Sequence, residues 1–139
     1  MSALPALDLA PGTTLPPLEI APISRTTLAL FAGASGDHNP IHVDLDVARS
    51  AGLDDVFAHG MLSMAYLGRL LTDWVPQERI RSFGVRFVAI TPVLAKPTCH
   101  GTVRDVADGL ATLDLAVRLA DGTTTLTGTA VVDLTEGPS

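Results

Sequence analysis

The stretch SGDHNPIHVD, Ser35 to Asp44, holds two histidines, two aspartates, an asparagine and a proline in ten residues. Asp37 and His42 stand five positions apart. On a helix that spacing puts them on different faces. Pro40 has no N–H to donate and pushes Asn39 out of the α region, so the segment reads as a stiff extended turn. Such a turn can bring both side chains to one point. A carboxylate beside an imidazole is a general acid/base pair, and histidine titrates in the range where proton traffic is useful. The pair can hold a water between its two groups.

A second feature complements the first. His59-Gly60 opens a long apolar segment that reads as a helix. The first amides of a helix lack internal acceptors and carry the positive end of its dipole. Gly60 allows a substrate oxygen to approach the backbone, which makes an oxyanion site for a carbonyl or thioester. An acid/base pair with an oxyanion donor suits chemistry at the carbons α and β to a carbonyl. Asp37 and His42 are therefore the candidate catalytic residues. Gly60 is the candidate oxyanion donor, with Asn39, His59 and Ser63 grouped beside it as candidate oxyanion or substrate-binding residues.

Each has a plainer reading. SGD and NP are ordinary turn sequences. Asn39 can simply tie down neighbouring backbone. His59 can be a satisfied histidine at a helix start, and Ser63 a small residue for close packing. His38 and His42 have the His-x-x-x-His spacing of a metal site, but Asn39-Pro40 prevents a regular helix and no third ligand stands out. No metal is expected, and His38 reads as a solvent-facing loop residue. No Gly-x-Ser-x-Gly is present, which disfavours a serine hydrolase. Cys99 reads as inert core, as do Met61, Met64 and Leu67. Arg81 and Arg86 read as exposed strand arginines.

The positioning elements follow from periodicity. Residues 15–21 read as a short strand. Ser24 caps a helix over 25–34, ended by Gly33 and Gly36. Asp44 caps a short helix to about Ser50. FAHGMLSMAYLGRLLTDWV, residues 57–75, is apolar on nearly all sides and reads as a buried helix stopped by Pro76. Four strands then follow, at 79–93, 97–107, 110–120 and 123–134, with Ala-Asp-Gly turns at 107–109 and 120–122. Helices before an antiparallel meander make an α+β fold, in which a curved sheet of about five strands wraps the apolar helix. Residues 1–14 read as a flexible arm and 15–139 as one domain.

Composition narrows the partners. The chain has 139 residues, a net charge of −6 and one cysteine. Acidity argues against nucleic acid. One cysteine leaves no internal disulfide and no Cys-based metal site, which fits a cytoplasmic location. The N-terminus lacks a basic region and is broken by Pro5, Pro11, Pro16 and Pro17, unlike a signal peptide. No apolar run approaches the ~20 residues of a membrane span.

Residues 31–61, FAGASGDHNPIHVDLDVARSAGLDDVFAHGM, resemble the signature of MaoC-like dehydratases and (R)-specific enoyl-CoA hydratases. Its core, Ser-Gly-Asp-x-Asn-Pro-Ile-His, stands at Ser35–His42, followed after five further residues by Ala48. Ala58 to Met61 match as well, while Ala34 stands where a larger aliphatic or a glycine is usual. VRFVAITPV, residues 85–93, is similar to the strand after the family's buried helix. TDWV and the chain length resemble short 3-hydroxyacyl thioester dehydratase subunits of actinobacterial fatty-acid elongation. The likeness covers most of 15–134.

The resemblance implies a hot-dog fold, dimers, and substrate along the subunit interface. It implies Asp37 and His42 as the catalytic pair, Gly60 as oxyanion donor, and reversible syn hydration of a trans-2-enoyl thioester to the (R)-3-hydroxyacyl form. No cofactor is implied beyond the CoA or acyl-carrier-protein arm of the substrate. A homodimer is expected, with a heterodimer or dimer of dimers as variants. Two rivals remain: a hot-dog acyl thioesterase, and one subunit of a heterodimeric dehydratase. The Asp37–His42 spacing around Asn39-Pro40 favours hydration over thioester cleavage.

Overall fold

Leu67, Leu70 and Leu71 recur at helical spacing, so one side of any helix carrying them must be buried. In the computed structural model, which describes residues 9–135, they lie on a helix whose burial organises the chain. The elements are β1 (Leu18–Glu19), α1 (Arg25–Ser35), a 3-10 turn (Pro40–His42), α2 (Leu45–Ser50), α3 (Gly60–Trp74), a second 3-10 turn (Gln77–Arg79), β2 (Ile80–Phe87), β3 (Thr98–Ala107), β4 (Leu110–Arg118) and β5 (Thr124–Asp133). The five strands form one sheet in the order β1-β3-β4-β5-β2, with every pairing antiparallel. This is the α+β architecture expected from periodicity.

The strand β4 alternates strictly. Ala111, Leu113, Leu115 and Val117 of β4 point inward and are buried. They meet Leu67, Leu70 and Leu71 of α3 in the main core, with Cys99, Val103, Leu126 and Val132 from the flanking strands. A second, smaller core joins Leu62 to Leu28 of α1, Ala48 of α2, and Val56. α3 is thus shared by the sheet and the helical layer. Its remaining face, with Met61, Ala65 and Arg69, is exposed. Cys99 has no exposure, and burial pushes its thiol up to about 12, as an inert core residue requires.

Turn chemistry sets the meander. Asp108 and Gly109 both take positive φ, 54° and 75°, the geometry of a tight hairpin whose twist suits the strands. Ser24 caps α1 by accepting from Thr27 N at 3.0 Å, and Asp44 caps α2 by accepting from Asp46 N at 3.0 Å.

Three expected elements are shorter than their patterns. The helix expected over 57–75 starts at Gly60. Phe57 pairs with Pro92, and Ala58 N donates to Thr91 O at 2.8 Å, so 57–59 run extended into the helix. The strand expected over 79–93 stops at Phe87, because Val88 N and Ala89 N both donate to Thr125 O and turn the chain toward α3. The strand expected over 15–21 keeps only Leu18–Glu19, since Pro16 and Pro17 cannot donate. Residues 1–8 of the expected arm lie outside the described residues. Within the rest of it, Gly12 N donates to Val103 O and Val103 N to Thr13 O, at 2.8 and 2.7 Å, beside β3. No helix among the described residues is long and apolar enough to cross a membrane.

Leu71, fully buried between helix and sheet, is the sharpest test of this core. Leu71→Ala is expected to lower unfolding free energy by about 2–5 kcal/mol in urea titration. A loss well under ~1 kcal/mol would mean that α3 does not pack as described.

Candidate active site

The loop between α1 and α2 is held by its own side chains. α1 ends at Gly36, whose φ of 78° lets its N–H reach back to Ala32 O at 3.1 Å. Ser35 Oγ accepts from Asp37 N at 3.2 Å, Asp37 Oδ1 from Asn39 N at 3.3 Å, and Asn39 Oδ1 from Ile41 N at 3.2 Å. These successive short turns feed the 3-10 turn that delivers His42. Asn39 caps that turn and is exposed, while His38 also faces solvent.

A second segment meets this loop. Arg25 donates both terminal nitrogens to Asp55, at 2.8 and 2.6 Å, tying the start of α1 to the chain just before Phe57. The Arg25 guanidinium, with help from Val56 N–H, holds the Asp55 carboxyl down at about 2. The pair is exposed, so it registers the segment more than it stabilises the fold.

His42 is only 6% exposed, and its Nδ1–H donates to Phe57 O at 2.8 Å. That bond leaves the lone pair on Nε2, which stands 3.9 Å from Asp37 Oδ2. Asp37 keeps half of its side chain in solvent. A gap of 3.9 Å is too long for a direct hydrogen bond and suits a water oxygen bonded to both atoms.

His59 packs beneath the pair. Its Nε2–H donates to Asp37 O at 3.1 Å, and its ring stacks on His42 with centroids 3.8 Å apart and planes 26° apart. Burial lowers the His59 pKa; the neighbouring His42 acts in the same direction, and the bond to Asp37 O opposes. His59 is therefore neutral near pH 7.

Gly60 follows as the first residue of α3. No acceptor among the described residues takes its N–H or that of Met61. Both amides sit at the positive end of the helix dipole. The Phe87 ring packs directly on Gly60: a Cβ there would lie 2.7 Å from Cε1. Asp37, Gly60, Met61, Phe87 and Ile90 line one cleft of about 470 Å³. A larger hollow, about 740 Å³, lies on the outer sheet face by Gly84 and Gly128. Of its charged residues, Arg104 and Asp114 pair with each other and Arg86 is a cation alone, leaving it without an acid/base group like that of the first cleft.

The structure thus brings together Asp37, His42, His59 and Gly60. Asn39 shapes the loop from outside the cleft lining. Ser63 is fully buried one turn into α3, and its Oγ lacks a partner. Three contributors were not singled out from sequence. The Phe57 carbonyl sets the His42 tautomer across fifteen residues, Phe87 covers Gly60 from a distant strand, and Met61, expected in the core, is 56% exposed at the cleft mouth. No local pattern marks any of them.

The third ligand that sequence lacked also appears. Asp37, His42 and His59 each offer a ligand atom, all within 4.8 Å of one another. A coordinated metal lies in the plane of each imidazole. Two stacked rings aim their lone pairs side by side rather than at one point, so this arrangement suits water better than a metal.

Comparison with known proteins bears on the family and the fold of this chain. The profile of the MaoC like domain matches residues 8–125. The 3-oxo-4,17-pregnadiene-20-carboxyl-CoA hydratase beta subunit of Mycobacterium tuberculosis is 31% identical over 77% of this chain and 83% of its own length. The 3-hydroxyacyl-thioester dehydratase X of the same organism is 35% identical over 82% of this chain, which spans 39% of that relative's length. The crystal structure of the (R)-hydratase from A. caviae involved in PHA biosynthesis superposes with a TM-score of 0.83 at 26% identity, covering 93% of this chain and 99% of the other.

The lowered His59 pKa has a consequence for stability. The unfolded chain takes up a proton at this residue near the ordinary value of 6.5, and the folded chain only at lower pH. Its contribution is intact above that value and is lost as pH falls toward the folded pKa. His100, also lowered by burial, acts with the same sign. The urea midpoint should therefore fall from about pH 7 to about pH 5, with a shallower slope in His59→Gln. Equal slopes would place a charged His59 in the folded protein.

Proposed function

The chain belongs to the MaoC like domain family, and from that premise we propose that it catalyses reversible syn hydration of trans-2-enoyl thioesters to (R)-3-hydroxyacyl thioesters. The observation that carries this reading is the His42 Nε2 lone pair 3.9 Å from Asp37 Oδ2, a carboxylate that lines one cleft with Gly60, whose N–H is free.

The geometry suggests the steps. Water bridges Asp37 and His42, donating one hydrogen to each. Its oxygen bonds to carbon 3 while His42 Nε2 takes the proton. The C2=C3 π electrons move to carbon 2 and the thioester oxygen, whose charge the Gly60 N–H stabilises. His42 then returns the proton to carbon 2. Both new bonds form on the face that the pair occupies, so the addition is syn. Asp37 orients the water and stabilises the transient imidazolium, and the Phe57 carbonyl keeps Nδ1 protonated throughout. CoA or a phosphopantetheine arm enters only as part of the substrate.

The relatives' names support an acyl-thioester hydro-lyase, and the beta-subunit relative supports assembly with a partner. The cleft mouth does so as well. Met61, Phe87, Val88 and Ile90 are each half or more exposed there, and β2 is an edge strand. The reading therefore includes a dimer, formed with a second copy or a related chain, that covers this rim. A dimeric mass in light scattering of the chain alone supports the homodimer, whereas a monomer points to a related partner chain.

Hydration of crotonyl-CoA, followed by loss of enoyl absorbance, tests the activity. Asp37→Asn and His42→Ala are each expected to lower kcat by about 10²–10⁴-fold while folding normally. Near-parental rates in either would remove that residue from the mechanism. Release of free thiol by the parent chain instead would make it a thioesterase.

A further inference from the structure

His59 lies behind the acid/base pair, whose Asp37 lines the cleft. It is 1% exposed and lies outside the cleft lining, although both sequence neighbours, Ala58 and Gly60, contribute to it. It does not cap α3 either, since its side chain makes no capping bond despite its N-cap position. Its hydrogen bond and its stacking contact lead instead to the acid/base pair. Nε2–H holds the Asp37 carbonyl at 3.1 Å, and the ring face lies against His42 at 3.8 Å. The Phe31 edge closes the far side, with centroids 4.9 Å apart and planes at 66°.

One atom of this residue is unaccounted for. His59 Nδ1 is buried without a hydrogen-bond partner. Among the described residues the only other buried side-chain polar atom in that state is Ser63 Oγ. The two residues are four apart across the first turn of α3, the spacing that brings side chains together on one helix face. Nε2–H is committed to the Asp37 carbonyl, so Nδ1 is an acceptor. Ser63 Oγ is a donor that stands out of hydrogen-bond geometry with Nδ1 in this structure, so pairing the two takes a change of serine rotamer. Leaving both unpaired would cost about 1–3 kcal/mol each.

We propose that His59 is a positioning residue for the hydration reaction: the Ser63 hydroxyl donates to its Nδ1 and locks the Nε2–H tautomer, which fixes Asp37 against His42. The chain Ser63–His59–Asp37 carries the rigidity of α3 into the loop. The ring contact with His42 supports the other half of the pair. Asp37 has only loop turns to hold its backbone otherwise. The aspartate and its partner are thus referenced to one buried ring, which sets the 3.9 Å gap for water.

The inference rests on the hydration reading, so its test has one arm that needs no activity. In protein labelled with 15N in its histidine rings, His59 should appear as the neutral Nε2–H form with an additional hydrogen bond at Nδ1. Ser63→Ala should shift the Nδ1 resonance. A protonated ring, the Nδ1–H tautomer, or no response to Ser63→Ala overturns the proposal whatever the substrate proves to be. The kinetic arm uses two substitutions. His59→Phe keeps a ring but loses the donor, while His59→Gln keeps a donor near the Nε2 position. His59→Phe should lower kcat roughly tenfold to a hundredfold with KM little changed, and His59→Gln should recover much of the loss. An effect confined to KM, or none, overturns it. Absence of hydration by the parent chain defeats the reading of function instead, and the ring-nitrogen spectra then decide the positioning claim alone.

Discussion

Everything in this protein depends on what α3 has to bury. Leu67, Leu70 and Leu71 need an apolar lining along one side, and the meander β3–β5 supplies it. Leu62, nearer the N-terminus, needs a different neighbour and finds it in the layer built by α1 and α2. The helix start is therefore trapped where sheet and helical layer meet. Its free amides face a cleft rather than bulk solvent, because the loops joining the two layers must pass there. The fold leaves the free Gly60 amide in a cleft as a by-product of where it buries its leucines.

The loop between α1 and α2 solves a different problem. It is exposed along much of its length and has little apolar surface to hold it. It relies instead on short-range bonds through Ser35, Asp37 and Asn39, each oriented by the residue before it. Such bonds define the path of the chain but do not anchor it. Two longer reaches provide the anchor, His42 to the Phe57 carbonyl and His59 to the Asp37 carbonyl. Each uses an imidazole N–H that must stay on one nitrogen. Structure and protonation state are thus coupled: the bonds that hold the loop also leave the His42 lone pair free for chemistry.

The polar and apolar sides of the cleft divide the work. Asp37, with His42 behind it, stands on one side, while Phe87, Met61 and Ile90 offer the other. Under the proposed reading, an acyl chain buried on that second side removes apolar area from water and also excludes water from the Gly60 amide, where a developing negative charge is then better stabilised. The same residues make the rim apolar, so the proposed assembly and the proposed binding share one surface.

Sequence alone determined the local features. Asn39-Pro40 dictates a stiff turn, Ser24 and Asp44 dictate helix starts, Asp108-Gly109 dictates a hairpin, and the strict alternation of Leu113, Leu115 and Val117 dictates a strand with one buried face. The motif around Asp37 and His42 was legible for the same reason, since its residues lie within a few bonds of one another. Tertiary structure decided what depended on distant partners. It set the start of α3, because Phe57 and Ala58 pair with Thr91 and Pro92. It ended β2 early through the doubled bond at Thr125 O. It turned Met61 outward, chose the His42 tautomer, and buried His59 beneath the pair it supports. Periodicity reports which face of an element is apolar, because that is a property of successive residues. It cannot report what stands opposite, because a tautomer or a burial depends on atoms brought together only when the chain closes on itself.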